Sequence, residues 1–419
     1  MPSALKALHI RDFRLFTLGN FMQLLGFQMV EVTLGWELYE RTHSAAALGF
    51  VGLANIVPVI ALALISGHVS DHFNRRNILV AALSLLLVVF TGFAALSYYQ
   101  ASIYWYYALM VLAGISRSFN SPARSALMSL LVPSELMSNA VTWNSNFFQT
   151  AVTLGPMIGG FLIATTHNYP LVYALGAFAV ASFIVMLLQI PMKGRDTPQI
   201  QGSGRNMSLR NLLSGISFVW QTKLILSAIT LDLFAVLFGG ATALLPIFAK
   251  DILHTNSMDI GWLRAAPALG ALTVGMTLAL IPAHLSPLRK AGRSLIWCVA
   301  GFGMATICFG LSRSFWLSMA ALFLTGAFDS ISVIVRMTLV QLLTPNEMRG
   351  RVSAVNYVFI GSSNELGAFE SGITAAAFGP IVSVVAGGCI TIVVVVAAAL
   401  QWPELRKLKS LDSLVKGNK

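Results

Sequence analysis

Six ionisable side chains, Glu31, Arg117, Asp232, Asp329, Glu365 and Glu370, stand inside long apolar runs of the 419-residue chain. A charge at the middle of a membrane-spanning helix costs about 2.5–3.5 kcal/mol on insertion scales, so each is a functional candidate by default. A carboxylic acid that alternates between a dry pocket and the field of an arginine changes its affinity for a proton, and that change can couple a proton to transport. Asp232 is the first choice for the coupling acid, because no Lys or Arg lies within two helical turns of it along its own run. Glu365 and Glu31 follow. Arg117 and Asp329 are expected to pair with each other or to contact a charged substrate. Glu370, Gln28, Asn144 and Asn356 supply further polar groups near the same depth.

The elements that must carry these residues are membrane-spanning helices. Of the chain, 56% is hydrophobic and only 10% charged, against roughly 45–50% and about 25% in soluble domains. Too little charge is left to cover a soluble surface. Apolar stretches fall at 14–37, 45–67, 78–98, 103–130, 137–165, 169–190, 222–249, 259–283, 293–312, 315–343, 350–378 and 380–402. Each reaches the span of a bilayer at about 20 residues per helix, and none has the ten-residue alternation of barrel strands. The expected fold class is therefore an all-α integral membrane protein with twelve transmembrane helices.

The segment 191–214, rich in Gly, Ser, Gln and basic residues, reads as a cytoplasmic linker between a six-helix bundle at 1–190 and a second at 215–419, the latter ending in a short basic tail. The halves repeat. At an offset of 212, Gly114 meets Gly326, Arg124 meets Arg336, Pro133 meets Pro345, Glu135 meets Glu347 and Asn144 meets Asn356. The same register makes Arg117 and Asp329 symmetry mates of opposite charge. Copies that start on the same side are parallel repeats, an arrangement that places a substrate site between two halves that rock. With both termini cytoplasmic, the inner segments hold 21 of the 27 lysines and arginines. That asymmetry sets the orientation and assigns the net charge of +11 to the membrane surface rather than to nucleic acid. The three cysteines lie in apolar runs without metal-ligand spacing, and no cofactor or metal is expected. The amphipathic N-terminus has no signal-peptide pattern.

Three motifs carry a resemblance. The loop after the second run reads Gly67-His-Val-Ser-Asp71-His-Phe-Asn74-Arg75-Arg76, and the fifth run holds Gly155-Pro156-Met-Ile-Gly159-Gly160. The fourth and tenth runs each end in Arg, a Leu-rich turn, Pro and Glu: Arg124, Pro133, Glu135 and Arg336, Pro345, Glu347. Together these resemble the major facilitator superfamily, in its exporter branch of enterobactin-type siderophore and drug effluxers. The resemblance implies a cytoplasmic gate built from Gly67, Asp71, Arg75 and Arg76, with Arg–Glu pairs at Arg124/Glu135 and Arg336/Glu347. It also implies a helix-packing motif at Gly155, Pro156, Gly159 and Gly160. Asn74 departs from the Gly usual at that position and is expected to take its left-handed turn.

The function implied is proton-antiport export of a small amphipathic organic molecule by a monomer of the bacterial cytoplasmic (inner) membrane. Its partners are the substrate, protons and the lipid bilayer. The alternative on the same scaffold is an uncoupled facilitator or lysolipid translocator. An enzyme is disfavoured, since the chain has no metalloprotease motif, nucleophile elbow or phosphate-binding glycine loop.

Overall fold

The computed structural model describes residues 6–191, 209–280, 291–345 and 348–404, and these contain helices and no strand. The helices are α1 (Arg11–Thr42), α2 (Ala45–His72), α3 (Arg75–Tyr98), α4 (Ile103–Leu131), α5 (Met137–Thr166), α6 (Tyr169–Leu188) and α7 (Leu209–Gln221). They continue with α8 (Lys223–Phe238), the single turn α9 (Leu245–Ile247), α10 (Ser257–Leu280), α11 (Ala291–Leu311), α12 (Phe315–Leu343), α13 (Arg349–Phe378) and α14 (Pro380–Gln401). The twelve expected runs are recovered. Among the described residues, eight helical segments are long and apolar enough to cross a membrane by length and composition. The long helices outside that set, α1, α4, α10 and α13, each carry charge within their length: Glu31 on α1, Arg117 on α4, Arg264 on α10 and Glu365 on α13. Spans that face polar surroundings in the protein rather than lipid bear this composition. Of the segment 191–214, residues 192–208 lie outside the described residues, and Leu209 already begins α7.

The seventh run departs from a continuous helix. α8 stops at Phe238, Gly239 and Gly240 are non-helical, and a 3-10 turn, α9 and a five-residue π-helix follow to Ile252. Glycine is the weakest helix former after proline, so two in succession locate the break. Packing holds it open: a Cβ on Gly240 would meet the Gly367 carbonyl at 2.8 Å, and one on Gly387 would meet that of Phe238 at 1.9 Å. The pair both permits close helix packing and interrupts the span.

Two compact units emerge. One comprises Met1–Arg41, Ala54–Met207 and Asn256–Ala265; the other Thr42–Leu53, Ser208–Thr255 and Ala266–Lys419. In the first, α3 packs against both α4 and α6. Its core includes Phe16 edge-on to Phe183, and Phe93 in contact with Tyr106 and Tyr173 at centroid distances of 5.7 and 5.6 Å. Gly160 on α5 abuts Ser257 and Gly261 on α10. In the second unit α11 packs against α12 and α14, repeating the first arrangement one half later. Ala228, Leu231, Leu295, Val299, Val335 and Val395 fill that core. Here Gly49 on α2 abuts Gly372 on α13.

The 212-residue register holds at the level of contacts. A Cβ on Gly114 would stand 2.3 Å from the Asn55 carbonyl, and one on Gly326 1.8 Å from the Pro267 carbonyl; both partners obey the offset. Ser118 donates to the Pro58 carbonyl at 3.4 Å, and its mate Ser330 donates at 3.4 Å to that of Ala271, one residue past the mate of Pro58.

Candidate coupling site

Asp232 sits in the middle of α8, 4% exposed, and forms an ion pair with Arg336 of α12, itself 2% exposed. Along α8 no basic residue is near; α12 supplies one from 104 residues away. Charge of either sign alone at this depth is prohibitive, and mutual pairing is what makes both tolerable. Arg336 was expected at a cytoplasmic gate beside Glu347. Glu347 lies outside the described residues, and Arg336 turns into the core because a buried carboxylate is there to receive it.

The first unit holds the same constellation with one atom changed in kind. Arg124 donates to Asn20 Oδ1 at 3.0 Å, and Asn20 Nδ2 donates to Asn144 at 3.3 Å. Asn20, Arg124 and Asn144 stand 212 residues before Asp232, Arg336 and Asn356. One copy of the repeat thus joins its arginine to an amide that cannot titrate, the other to a carboxylate that can. Asn356 is buried; its Nδ2 donates to Met337 Sδ at 3.4 Å, and its Oδ1 has no hydrogen-bond partner among the described residues. The expected Arg124–Glu135 pair is absent. Arg124 points inward to Asn20, while Glu135 is exposed in a 3-10 turn and accepts the Ser134 hydroxyl at 3.0 Å.

The remaining candidates scatter. Glu31 is half-exposed and ion-paired with Arg264 of α10. Gln28 packs on Gly155, whose Cβ would fall 2.5 Å from that of Gln28, and Gly159 abuts the Met29 backbone. Pro156 lies inside α5, its carbonyl against Gly261. Arg117 is partly buried on α4. Glu365 is partly buried on α13, and its carbonyl would meet a Cβ on Gly52 at 2.7 Å. Glu370 is also partly buried, with the Ser371 hydroxyl at 3.5 Å. Asp329 lines a cavity of about 210 Å³ within the second unit.

At the α2–α3 corner, Gly67 and Asp71 lie on α2, and their side-chain environment is outside the described set. Asn74 does not adopt the left-handed turn expected of it. Its φ is −59°, and its Oδ1 accepts the Asn77 N–H at 3.1 Å, so it caps α3. Asn suits that position because its side chain satisfies one of the four free N–H groups of a helix start. Arg75 is partly buried, and Arg76 donates to the Ile190 carbonyl at 2.8 Å, tying the start of α3 to the end of α6.

One polar cluster is missing from the expectations. Glu37, fully buried near the end of α1, accepts the hydroxyls of Ser97 at 2.8 Å, Tyr106 at 2.9 Å and Tyr173 at 2.7 Å. Arg41, one turn on, lies 3.5 Å away. The sequence signal was present as an i, i+4 Glu–Arg pair, but an expected first span ending at residue 37 places it at the surface.

A family model described as "transmembrane secretion effector" matches residues 2–417. The chain belongs to that family. This secretion-effector family member is 25% identical over 402 residues to the enterobactin exporter EntS of Shigella boydii serotype 18, covering 95% of this chain and 93% of that one. It is 24% identical over 402 residues to EntS of Escherichia coli O1:K1, with the same coverage. Among solved structures it resembles a POT family transporter in complex with 5-aminolevulinic acid, at a TM-score of 0.73 and 12% identity over 94% of this chain and 96% of that one. It also resembles a bacterial homologue of the human lysosomal transporter Spinster, at a TM-score of 0.71 and 14% identity over 95% and 97% of the two chains. At these identities the structural likeness is one of fold, the twelve-helix major facilitator fold. The protein is a multi-pass membrane transporter.

Proposed function

We propose that this transporter exports a small amphipathic organic molecule across the bacterial inner membrane in exchange for protons, with Asp232 as the coupling acid. The observation that carries the reading is the Asp232–Arg336 ion pair beside its non-titrating Asn20–Arg124 counterpart. Protonation of Asp232 abolishes the pair, so proton binding and engagement of Arg336 exclude one another. Such mutual exclusion is the requirement for coupling a proton to a two-state protein. In this reading the two six-helix halves, 1–190 and 215–419, are the moving bodies. Both termini are cytoplasmic, the α2–α3 corner with Gly67, Asp71, Arg75 and Arg76 gates the cytoplasmic side, and the chain works as a monomer. A pH difference supplies about 1.4 kcal/mol per unit per proton, and 100 mV adds about 2.3 kcal/mol per charge.

The test is uptake into inverted vesicles of a panel of amphipathic dyes and catecholate compounds, with and without an uncoupler. Accumulation that collapses on uncoupling supports proton antiport. Uptake that proceeds only to equilibrium and ignores the uncoupler selects the facilitator reading and removes Asp232 from its role.

A further inference from the structure

The cavity of about 210 Å³ in the second unit sits where the seventh span is broken, between the Gly239–Gly240 gap and helices α11, α12 and α13. Asp329 is its charged wall. Among the described residues its carboxylate has neither a hydrogen bond nor a salt bridge; Arg336, two turns along α12 on the same face, acts on it electrostatically while paired with Asp232. The neutral polar groups around it are biased in one direction. The Thr306 hydroxyl donates its proton to the Phe302 carbonyl at 2.9 Å, and that of Thr325 donates to Leu322 at 2.6 Å. Asn364 turns its amide nitrogen back to the Ile360 carbonyl at 3.0 Å. Each has committed a proton to its own helix and keeps oxygen lone pairs, the Asn364 amide retaining one further N–H. Of the cavity's hydroxyls, only that of Thr242 keeps an uncommitted proton among the described residues. The C-terminal end of α8 also opens on the cavity at Gly239, and a helix C-terminus carries a partial negative charge. Broken transmembrane helices use such ends and their freed carbonyls to hold cations.

The space is too large for a bare ion, equal to about seven waters at about 30 Å³ each. It is too small for a whole drug-sized guest, whose pockets run to roughly 300–1,000 Å³. Phe302 and Phe309 add aromatic walls, whose faces attract cations. We propose that this cavity binds a primary organic ammonium carrying a small aromatic or aliphatic body, with the ammonium on Asp329 and the body against Phe302 and Phe309. Asp329 is then the specificity determinant for the head group of the cargo. The inference rests on the transport reading only for the step from binding to carriage, and its test reads binding alone.

The probe is 4-fluorobenzylammonium, with 4-fluorobenzyl alcohol and 4-fluorobenzoate as isosteres, titrated by fluorine NMR into the full-length protein in nanodiscs at neutral pH. The ammonium is expected to bind at least about tenfold more tightly than either isostere, the worth of one charge-assisted hydrogen bond. Asp329→Asn loses that preference and Asp329→Glu keeps it. Ala368→Leu, which fills the cavity and leaves the carboxylate in place, removes binding of all three probes and carries the test by itself if Asp329→Asn does not fold. A large excess of sodium chloride leaves the ammonium bound. Equal binding of the alcohol, an unaltered preference in Asp329→Asn, unchanged binding in Ala368→Leu, or displacement by sodium overturns the proposal. Ammonium binding without proton-dependent transport leaves the proposal standing and overturns the antiport reading instead.

Discussion

Replacing Glu37 by Ala tests whether interior charge in this protein is static or mobile, because Glu37 is built as an anchor. Its two carboxylate oxygens receive hydroxyls from α3, α4 and α6, so one side chain of α1 ties four helices together. Each hydrogen bond to a charged acceptor contributes about 1.5–3 kcal/mol. The three bonds share one acceptor and do not add, and removing one partner of a buried charged cluster costs about 3–5 kcal/mol in total. Glu37→Ala leaves Ser97, Tyr106 and Tyr173 facing a cavity and Arg41 without its carboxylate, and is expected to lose about 4 kcal/mol on that basis. Tyr173→Phe removes a single hydroxyl and loses about 1.5–3 kcal/mol. Against a total stability of about 5–15 kcal/mol these are large fractions, readable as unfolding midpoints in nanodiscs. The expected order is wild type, then Tyr173→Phe, then Glu37→Ala, with the proton-to-substrate ratio of Tyr173→Phe unchanged. A Glu37→Ala variant as stable as wild type, or a Tyr173→Phe variant that transports without protons, would refute the view of Glu37 as an anchor.

Three further outcomes follow from the contacts. Asn20→Asp places a second acid beside Arg124 and is expected to add a second coupled proton, measured as a steeper dependence of accumulation on the imposed pH gradient. Gly326→Val drives a side chain into the Pro267 carbonyl, which a Cβ alone would approach to 1.8 Å, and abolishes folded protein on size-exclusion chromatography; Gly361→Ala, with nothing within 4 Å, leaves it intact. Glu31→Gln and Arg264→Gln each cost under about 1 kcal/mol, since this pair is half-exposed and screened. Exchanging the two residues restores the pair and, with it, the wild-type unfolding midpoint.

The helices and the repeat were legible from the sequence because both rest on local composition and on a register in which Arg, Pro, Glu and Asn recur. The Asp232–Arg336 pair was harder to see. A search for basic residues along the seventh span finds none, and the partner arrives from a helix 104 residues on. The same 212-residue offset, carried back to the first span, sets Asn20 against Asp232 and foreshadows the pair. Glu37 escaped notice because α1 runs on to Thr42, one turn past the apolar run, and buries what composition assigns to the surface. Asn74 was misjudged because a loop residue tolerant of left-handed backbone is also a good helix cap, and the sequence alone does not choose between these uses.

The sharpest test is the number of protons released when substrate binds to purified protein in weakly buffered nanodiscs, read with a pH-sensitive dye for wild type and Asp232→Asn. Asn keeps an oxygen acceptor for the arginine, as Asn20 does for Arg124, and folding and substrate binding of the variant are measured on the same sample. The account predicts proton release by wild type and none by Asp232→Asn. Release of the same number of protons by both would contradict it.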